Sequence, residues 1–368
     1  MIRRSTRTLA LTAAAALTLG LTACADDGGT QETGGTEAPA GSPGAGSGTE
    51  AADPGATEGD GTLTLYSGRN EDLVQPVLDQ FTDETGIEVE VRYAGTAEMA
   101  AQLLEEGDNS PAEAFLAQDA GALGAVDDLL QPLPQETLDL VPDTYESAAG
   151  TWVGLTGRSR VLVYNGDAVS QEELPDSVGD LTGEQWQGRV GIAPTNASFQ
   201  SFVTAMRVLE GEDVARQWLA DMAANDPQIR ERNGVIVADV DSGAIDTGLV
   251  NHYYLYELAE EQGVDPEELS AALHFFSSGD TGALVNISGI GLVGEQPDGD
   301  AQALIDYLLS EAGQTYFVEN TYEYPMIEGI DPPAGLPALD ELETPDIDLN
   351  DLEDLQTTIE MITEAGLL

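Results

Sequence analysis

Short strand-like and helix-like segments alternate along most of this chain, and that alternation limits the folds it can adopt. The first strand patterns are "TLTLYS" at 62–67, "IEVEVRYA" and "AEAFLA". Between them, "EDLVQPVLDQFTDETG", closed by Gly86, and "TAEMAAQLLEEG" have the apolar spacing of helices. This βαβαβ order predicts a largely parallel sheet covered by helices. Further strands are predicted at 161–165, 189–194 and 244–250, with helices between them, so we expect a second α/β unit. A last helix is predicted from about Leu349 to Ala365.

The first 24 residues have the features of a secretory signal peptide. Arginines at positions 3, 4 and 7 precede an apolar run that is too short and too rich in alanine and threonine to predict a transmembrane helix. The signal ends in "LTAC", which resembles the lipobox of bacterial lipoproteins, in which the cysteine becomes the lipidated first residue. Cys24 is therefore the predicted lipidation site, with an incidental cysteine in an ordinary signal as the alternative. Because it is the single cysteine, intramolecular disulfides, cysteine zinc sites and iron–sulfur clusters are excluded.

Residues 25–61 contain no aromatic side chain and no aliphatic side chain larger than alanine, so they have nothing to pack. We expect a flexible, acidic and glycine-rich tether with an average reach of roughly 35 Å. Signal, cysteine and tether together predict an extracytoplasmic receptor, lipid-anchored to the outer face of the cell membrane or in the periplasm.

The charge of the chain is strongly one-sided. It carries 68 acidic and 12 basic residues, a formal net charge of −56, and every basic residue is an arginine. This balance argues against nucleic acid or an anionic membrane surface as a partner, because their phosphates would be repelled. We interpret the acidic residues, which are spread along the chain, as a salt-adapted surface typical of a halophilic or salt-tolerant source.

Sequence motifs for an enzyme are missing. There is no HExxH, no GxSxG and no P-loop, and the chain has only two histidines, His252 and His274. "GIGLVG" at 289–294 matches the dinucleotide fingerprint, but "EQPDG" separates it from the next helix, whereas a true fingerprint opens a helix. A secreted hydrolase would need a nucleophile or a metal triad that the sequence does not offer. We therefore predict that the chain is not an enzyme.

The stretch "LVNHYYLYEL" at 249–258 places two adjacent phenols, Tyr253 and Tyr254, directly after the apolar run "IDTGLV". The following residues have helical spacing and stop at Gly263, so a helix is expected to start near Tyr253. Open α/β sheets bind ligands at such junctions between strand and helix. The pair is therefore a candidate ligand site, with aromatic packing at a helix start as the alternative.

Six segments resemble, in the same order, the ferric-iron-binding proteins of bacterial ABC importers. They are "YSGRNE", "SPAEAFLAQDAGALG", "WVGLTGRSRVLVYN", "GRVGIAPTNASFQ", "GLVNHYYLY" and "GDTGALVNISG". The resemblance implies an α/β, two-lobed periplasmic-binding-protein fold of type II, in which hinge strands join the lobes and the ligand binds between them. The implied division is lobe 1 from 62–157 plus 285–336 and lobe 2 from 158–284 plus 337–368.

In that family, the residues matching Tyr253 and Tyr254 supply two phenolate oxygens to Fe³⁺. Hard oxygen ligands suit a trivalent ion, and a bound cation can remove the proton of a phenol whose free pKa is about 10. Well-known members also use a histidine and a glutamate, and Asn70 and Gln118 stand at those positions here.

A second subgroup of the family uses two further tyrosines, at the positions of Glu71 and Phe199. Since all of these ligands are replaced, the resemblance leaves Glu71, Gln118, Asp119, water or a bound anion to complete the coordination. Such a site could be open, with much of the iron shell left to carbonate, phosphate or a small chelator.

The family also binds a synergistic anion, carbonate or phosphate, at the helix start that "PTNASF" matches here. The matching residues are Asn196, Ala197 and Ser198, with Asn233 and Asn251 at further anion-contacting positions. Helix N-termini suit this task because their N–H groups are free and the dipole favours negative charge. Plain turn and cap asparagines are the alternative.

Arginine is scarce, so Arg69, Arg158 and Arg160 stand out as groups that could neutralise an anion or pair with acids at the hinge. We favour hinge and charge balance for Arg158 and Arg160. His252, beside the tyrosine pair, is interpreted as a packed or supporting residue rather than a ligand.

The sequence thus predicts a monomeric lipoprotein, attached to the membrane only by its lipid, that captures Fe³⁺ with a synergistic anion. It would deliver the ion to an ABC permease and its ATPase. The alternative is the same fold binding an iron chelate, an inorganic anion or another small anionic solute.

Overall fold

The computed structural model describes residues 59–277, 279–294 and 299–368. The predicted signal peptide, Cys24 and almost all of the predicted tether lie outside these residues. Within the described ranges, no helix has both the length and the apolar character needed to cross a membrane.

Strands and helices alternate through the described chain. The strands are β1 Thr62–Ser67, β2 Glu88–Tyr93, β3 Ala114–Ala117, β4 Leu130–Gln131, β5 Trp152–Asn165, β6 Val190–Ile192, β7 Gln228–Ile229, β8 Thr247–Asn251, β9 Ala271–His274, β10 Val285–Val293 and β11 Tyr324–Pro325. The helices are α1 Glu71–Thr85, α2 Thr96–Glu106, α3 Ala120–Ala125, α4 Gln135–Leu138, α5 Ala197–Glu210, α6 Glu212–Ala224, α7 Asn233–Asp241, α8 Tyr253–Gln262, α9 Gly299–Leu308, α10 Glu311–Thr321 and α11 Leu355–Glu364.

The strands form one mixed sheet with the order β2-β1-β3-β10-β5-β8-β6-β7, to which β4, β9 and β11 add at β10 and β5. The first strands are parallel, since β1 pairs in parallel with β2 and β3, and the last are too, since β6 pairs in parallel with β7 and β8. The two central strands, β5 and β10, run antiparallel to their neighbours. The expected parallel sheet is therefore found twice, as two half-sheets joined by antiparallel strands.

Strand β5 belongs to both half-sheets. It is 14 residues long and buried along its whole length. Up to Ser159 it pairs with β10, and from Arg160 onward it pairs with β8 and β9. The two half-sheets therefore meet between Ser159 and Arg160.

Each half-sheet has its own apolar core. In the first, helices α1, α2, α9 and α10 contribute to one large core. In the second, successive residues of β5 face opposite sides: Leu162 and Tyr164 pack with α5 and α6, whereas Val161 and Val163 pack with α7 and α8. Both faces of the second half-sheet are thus covered by helices, as expected for α/β architecture.

The end of the chain contributes to both cores. Leu349 and Leu352 pack in the core of the first half-sheet, while Met361 and Ile362, on α11, pack with α5 and α6. The lobe boundaries given above stay a prediction.

Three local predictions differ from the structure. The predicted strand at 161–165 is the second part of β5, and the predicted strand at 244–250 begins only at Thr247, because Gly243 has a positive φ of 73° in the turn before it. A continuous helix was expected from about Leu349 to Ala365. It is divided instead, because the Asp354 side chain accepts from the backbone N–H of Thr357 at 3.2 Å and starts α11 anew.

Candidate functional site

A cleft of about 520 Å³ receives residues from both half-sheets. From the first it is lined by Arg69, Asn70, Gln118 and Glu323, and from the second by residues at the starts of α7 and α8. Tyr253 and Tyr254 are among the lining residues. The cleft therefore lies where the carboxyl ends of strands and the starts of helices meet, the usual place for a ligand in such sheets.

The tyrosine pair lies at the junction of β8 and α8, as the sequence predicts. β8 ends at Asn251 and α8 begins at Tyr253, with only His252 between them. The two phenol rings lie 4.2 Å apart between centroids and 32° from parallel. Both phenol oxygens are therefore presented together on one wall of the cleft.

His252 holds this junction in place. Its imidazole is fully buried, Nδ1 accepts from the backbone N–H of Ser159 at 3.1 Å, and Nε2 lies 2.8 Å from the carbonyl oxygen of Tyr322. Burial lowers its pKa to about 4, so the ring is neutral and carries its proton on Nε2. Since both nitrogens are occupied, His252 packs behind the pair and orients it.

Burial also governs the two phenols. It raises the pKa of Tyr253 well above 10, with the neighbouring Tyr254 adding to the effect, and it raises the pKa of Tyr254 as well. The charge of Arg158 lowers both pKa values but does not outweigh burial, so both side chains keep their protons at neutral pH. Only a strongly charged cation would favour the phenolate form here.

Arg160 lies on β5 opposite Asn251. It is close enough to Tyr253 and Tyr254 for both of them to act on its pKa. It is 2% exposed and donates to Ser198 Oγ at 3.2 Å, Asn251 Oδ1 at 3.5 Å and the Leu249 carbonyl at 3.0 Å. Its Nε has no hydrogen-bond partner among the described residues. Burial lowers its pKa to about 9, and it remains a buried cation at neutral pH.

The predicted anion segment lies beside Arg160, at the start of α5. Asn196 caps this helix: its Oδ1 accepts from the N–H of Ser198 at 2.9 Å and from the Ser198 hydroxyl at 2.6 Å. Asn233, at the start of α7 and fully buried, donates to Ser198 Oγ at 3.0 Å. The structure thus brings Asn196, Ser198, Asn233 and Asn251 into one polar cluster with Arg160, and Ala197 is exposed at the first position of α5.

The three residues considered to complete the coordination are placed differently. Gln118, at the end of β3, lines the cleft. Asp119 does not, because its carboxylate caps α3 by accepting from the N–H of Ala122 at 3.0 Å, and burial raises its pKa. Glu71 also does not line it, because it is exposed at the first turn of α1, where its charge acts on Tyr93.

Glu323 is a cleft residue that the sequence did not reveal. It is 2% exposed and lies between two arginines, with Arg69 Nη2 at 2.8 Å and Arg158 Nε at 3.6 Å. Burial alone would raise its pKa, but the two guanidinium groups outweigh burial and lower it. Arg69 also donates to Ser288 Oγ at 2.9 Å, so this buried triad connects β1, β5 and β10. The expected role in hinge charge balance agrees with the contacts of Arg158, but not with those of Arg160.

Glu257 is the second cleft residue that the sequence did not reveal. It lies on α8 one turn after the tyrosine pair and is half-buried. Burial, with the charges of Glu323 and Glu260, raises its pKa to about 7. Carboxylates are so common in this chain that neither Glu257 nor Glu323 carried a signal in the sequence.

The arginines show which cations the protein leaves without a carboxylate. In the described residues, ion pairs are formed by Arg69, Arg92, Arg158, Arg189, Arg207, Arg216 and Arg230. Arg160 and Arg232 form none there. Arg232 lines the cleft just before α7, and Arg160 lies behind the tyrosines. Both unpaired cations are therefore at the candidate site.

Two α/β halves, a long strand shared between them and a polar cleft where they meet define a two-lobed solute-binding protein. Residues 108–353 match the family of bacterial extracellular solute-binding proteins, and the chain belongs to that family. It is 34% identical over 317 residues to the Fe(3+)-binding periplasmic protein of Serratia marcescens. The matched region covers 85% of this chain and 93% of the relative.

Solved structures of iron-binding proteins also resemble this chain. The iron-bound HitA of Pseudomonas aeruginosa matches with a TM-score of 0.76 and 34% identity, over 83% of this chain and 99% of that one. The Trichodesmium protein IdiA (FutA), in complex with iron and citrate, matches with a TM-score of 0.70 and 28% identity, over 83% and 99%. The predicted resemblance and the two-lobed α/β fold are confirmed. So is the prediction of a protein that is not an enzyme, because these relatives are iron-binding proteins.

Proposed function

We propose that this protein captures ferric iron in its cleft, together with an anion, and delivers it to an ABC permease and the ATPase of that permease. Tyr253 and Tyr254 supply two phenolate oxygens. The observation that carries the proposal is the pair itself, two phenols in ring contact at the wall of the cleft with the buried cation Arg160 behind them. The relatives that bind ferric iron support it.

The chemistry of the pair favours a small, highly charged cation. Two phenols whose pKa values are raised by burial stay neutral when the cleft is empty, and the cost of ionising them is large. Fe³⁺ offsets that cost because it is hard and triply charged, and oxygen anions are the ligands it prefers. Iron binding would therefore release the phenol protons to solvent.

The anion is proposed to lie at the start of α5. Ser198, Asn233 and Asn251 surround the guanidinium of Arg160, whose Nε is free to donate, and Asn196 and Ala197 add the first turn of the helix. A carbonate or phosphate there would meet a buried cation, a helix N-terminus and side-chain donors at once.

A second candidate, an iron chelate or another small anionic solute, is favoured by one observation. In a chain with a net charge of −56, one of the two arginines that form no ion pair in the described residues, Arg232, lines the cleft, and the other, Arg160, lies behind the tyrosine pair. A chelate such as ferric citrate would bring its own carboxylates to these cations, and one relative was solved in complex with iron and citrate.

Membrane attachment through a lipid on Cys24, a monomeric state and the extracytoplasmic location belong to the same proposal. The signal-like start and the tether support the first and third. The family supports delivery to an ABC permease.

A visible spectrum tests the assignment of the pair. During titration with ferric citrate in the presence of carbonate or phosphate, we expect a broad tyrosinate-to-iron charge-transfer band. Tyr253→Phe and Tyr254→Phe should each weaken or abolish it, because each removes one phenolate. Tyr256→Phe is the matched control: it lies on the same helix, but its hydroxyl donates to the Ala334 carbonyl at 2.9 Å, away from this cleft.

The two candidates give different results in this titration. No band under any anion would contradict ferric binding through the pair. Iron-free citrate that raises the unfolding temperature as much as ferric citrate does would favour the anionic solute instead.

A further inference from the structure

Glu257 lies on the same wall of the cleft as the tyrosine pair. It is four residues after Tyr253 and three after Tyr254, so the three side chains share one face of α8. Side chains on a helix lean towards its N-terminus, so the Glu257 carboxylate is directed back over the turn that carries the phenols. All three line the same cleft.

Glu257 differs from the other carboxylates of the cleft in being half-buried without a partner. Glu323 is held between Arg69 and Arg158, and Glu261, one turn further along α8, is exposed to solvent. Among the described residues, Glu257 has neither an ion pair nor a hydrogen bond, although it is half-buried. The charges that act on it, those of Glu323 and Glu260, are of the same sign as its own.

A half-buried carboxylate facing like charges is unfavourable unless a cation is present. The nearby arginines do not supply one: Arg69 and Arg158 are engaged with Glu323, and Glu257 forms no ion pair with Arg160 or Arg232 and has no arginine among the charges that act on it. The Glu257 carboxylate, which lacks a cation, therefore lies on the same wall as two phenols that need a cation in order to ionise. One ion between them would satisfy all three groups.

We infer that Glu257 is a third protein ligand of the ferric ion, adding a carboxylate oxygen to the two phenolates. The inference rests on the proposed function, since it assumes that iron binds at the pair. Two phenolates and one carboxylate balance the three positive charges of Fe³⁺. Arg160 then offsets charge on the anion. Gln118, across the cleft, offers only a neutral amide.

The test compares Glu257→Gln with Glu261→Gln, a control that removes one negative charge from the same cleft and the same helix, but at a side chain exposed to solvent. In Glu257→Gln the tyrosinate band should persist but shift in energy, because one anionic ligand of the iron is lost. Competition with free citrate should remove iron at least about 10-fold more readily than from wild type, since losing even a residue that only supports a metal ligand costs about 10- to 100-fold. Glu257→Asp, which keeps the carboxylate on a shorter chain, should recover part of the affinity.

The outcomes separate this inference from the proposed function. A wild-type protein that gives no band overturns both. A wild-type band with Glu257→Gln indistinguishable from Glu261→Gln in band energy and citrate competition overturns the role of Glu257 and leaves the tyrosine pair as iron ligands. Thermal unfolding of the iron-free variants checks the fold, and Glu257→Gln is expected to be at least as stable as wild type because it removes an unpaired charge.

Discussion

Arg160 is the buried arginine whose charge a bound ligand should stabilise most. Arg69 and Arg158 are as deeply buried, but each is compensated by Glu323. Arg160 is surrounded instead by Ser198, Asn251 and a backbone carbonyl, which are neutral. Neutral partners accept hydrogen bonds from its Nη1 and Nη2 without cancelling its charge, so a bound anion or the ionised tyrosines would stabilise it.

Replacing Arg160 therefore tests the anion site. In Arg160→Gln, we expect carbonate or phosphate to lose most of its effect on iron affinity. The increase in iron affinity that the anion causes should become about 10-fold smaller, which corresponds to roughly 1.5 kcal/mol for one charge-assisted hydrogen bond. Isothermal titration with ferric citrate, with and without added phosphate, measures this effect.

Two variants make the result specific. Arg160→Lys keeps the charge and should retain part of the response to phosphate. Arg216→Gln removes an exposed arginine that pairs with Glu364 and should respond like wild type. If Arg160→Gln still gains affinity from phosphate as wild type does, the anion is not held by Arg160.

The sequence predicted some of the candidate site and could not predict the rest. Tyr253 and Tyr254 were found because they follow a strand and open a helix, which is a local pattern. Glu323 and Glu257 were not found, because their environment depends on residues far away in the chain. Glu323, for example, is buried between Arg69 and Arg158 only in the folded sheet, in which β5 pairs with β10, a strand far away in the sequence.

At the scale of elements, the triad of Arg69, Glu323 and Arg158 connects the end of β1, the middle of β5 and the segment before β11. Arg158 also donates to the Ile287 carbonyl of β10 at 2.7 Å and to the Gln118 carbonyl at the end of β3. β1, β3 and the segment before β11 reach the cleft, where Arg69, Gln118 and Glu323 line it. The triad therefore fixes the floor of the cleft at the place where β5 passes from one half-sheet to the other.

Removing the carboxylate of this triad should be costly. Glu323→Gln would leave two buried guanidinium groups facing each other, and breaking a buried pair costs about 3–5 kcal/mol. We expect that loss in the free energy of unfolding measured with urea at pH 7. Glu364→Gln breaks the exposed pair with Arg216 and should cost less than about 1 kcal/mol.

The same triad predicts a pH dependence. The pKa of Glu323 is lowered in the folded protein from its ordinary value of 4.5, so its stabilising effect is fully present above pH 4.5. The effect is lost as the pH falls through the lowered pKa of the folded state. The stability difference between wild type and Glu323→Gln should therefore shrink in acid, and a difference that stays constant down to the acid transition would contradict this role.

The elements themselves were predicted best where periodicity is strong. Helix α1, closed by Gly86 with φ 79°, and strand β1 follow directly from local patterns. Helix α7, "NGVIVADVD", was not predicted, because its apolar residues give no clear one-sided stripe. The first part of β5 was not predicted as strand because only pairing with β10, more than 120 residues later, makes it one.

At the scale of the whole molecule, charge dominates. Seven of the nine arginines in the described residues are used in ion pairs, several of them buried, so few cations remain to offset the acidic surface. Repulsion among the remaining carboxylates acts over the Debye length, which is about 30 Å at 0.01 M salt and about 3 Å at 1 M. In dilute buffer it extends across a whole lobe, and in molar salt it hardly reaches the next side chain.

Stability should therefore rise with salt. Between 0.01 M and 1 M sodium chloride we expect the free energy of unfolding to increase by at least about 1 kcal/mol, or roughly 2–4 °C in the unfolding temperature, followed by circular dichroism. Most of the gain should come at low salt, where the Debye length shortens fastest, whereas a general effect of salt on apolar surface would continue to grow with concentration. Sucrose at matched osmolality, which does not screen charge, is the control. Equal stability at both salt concentrations would mean that the carboxylates are spaced too widely to repel one another, and the salt-adapted interpretation of the surface would be wrong.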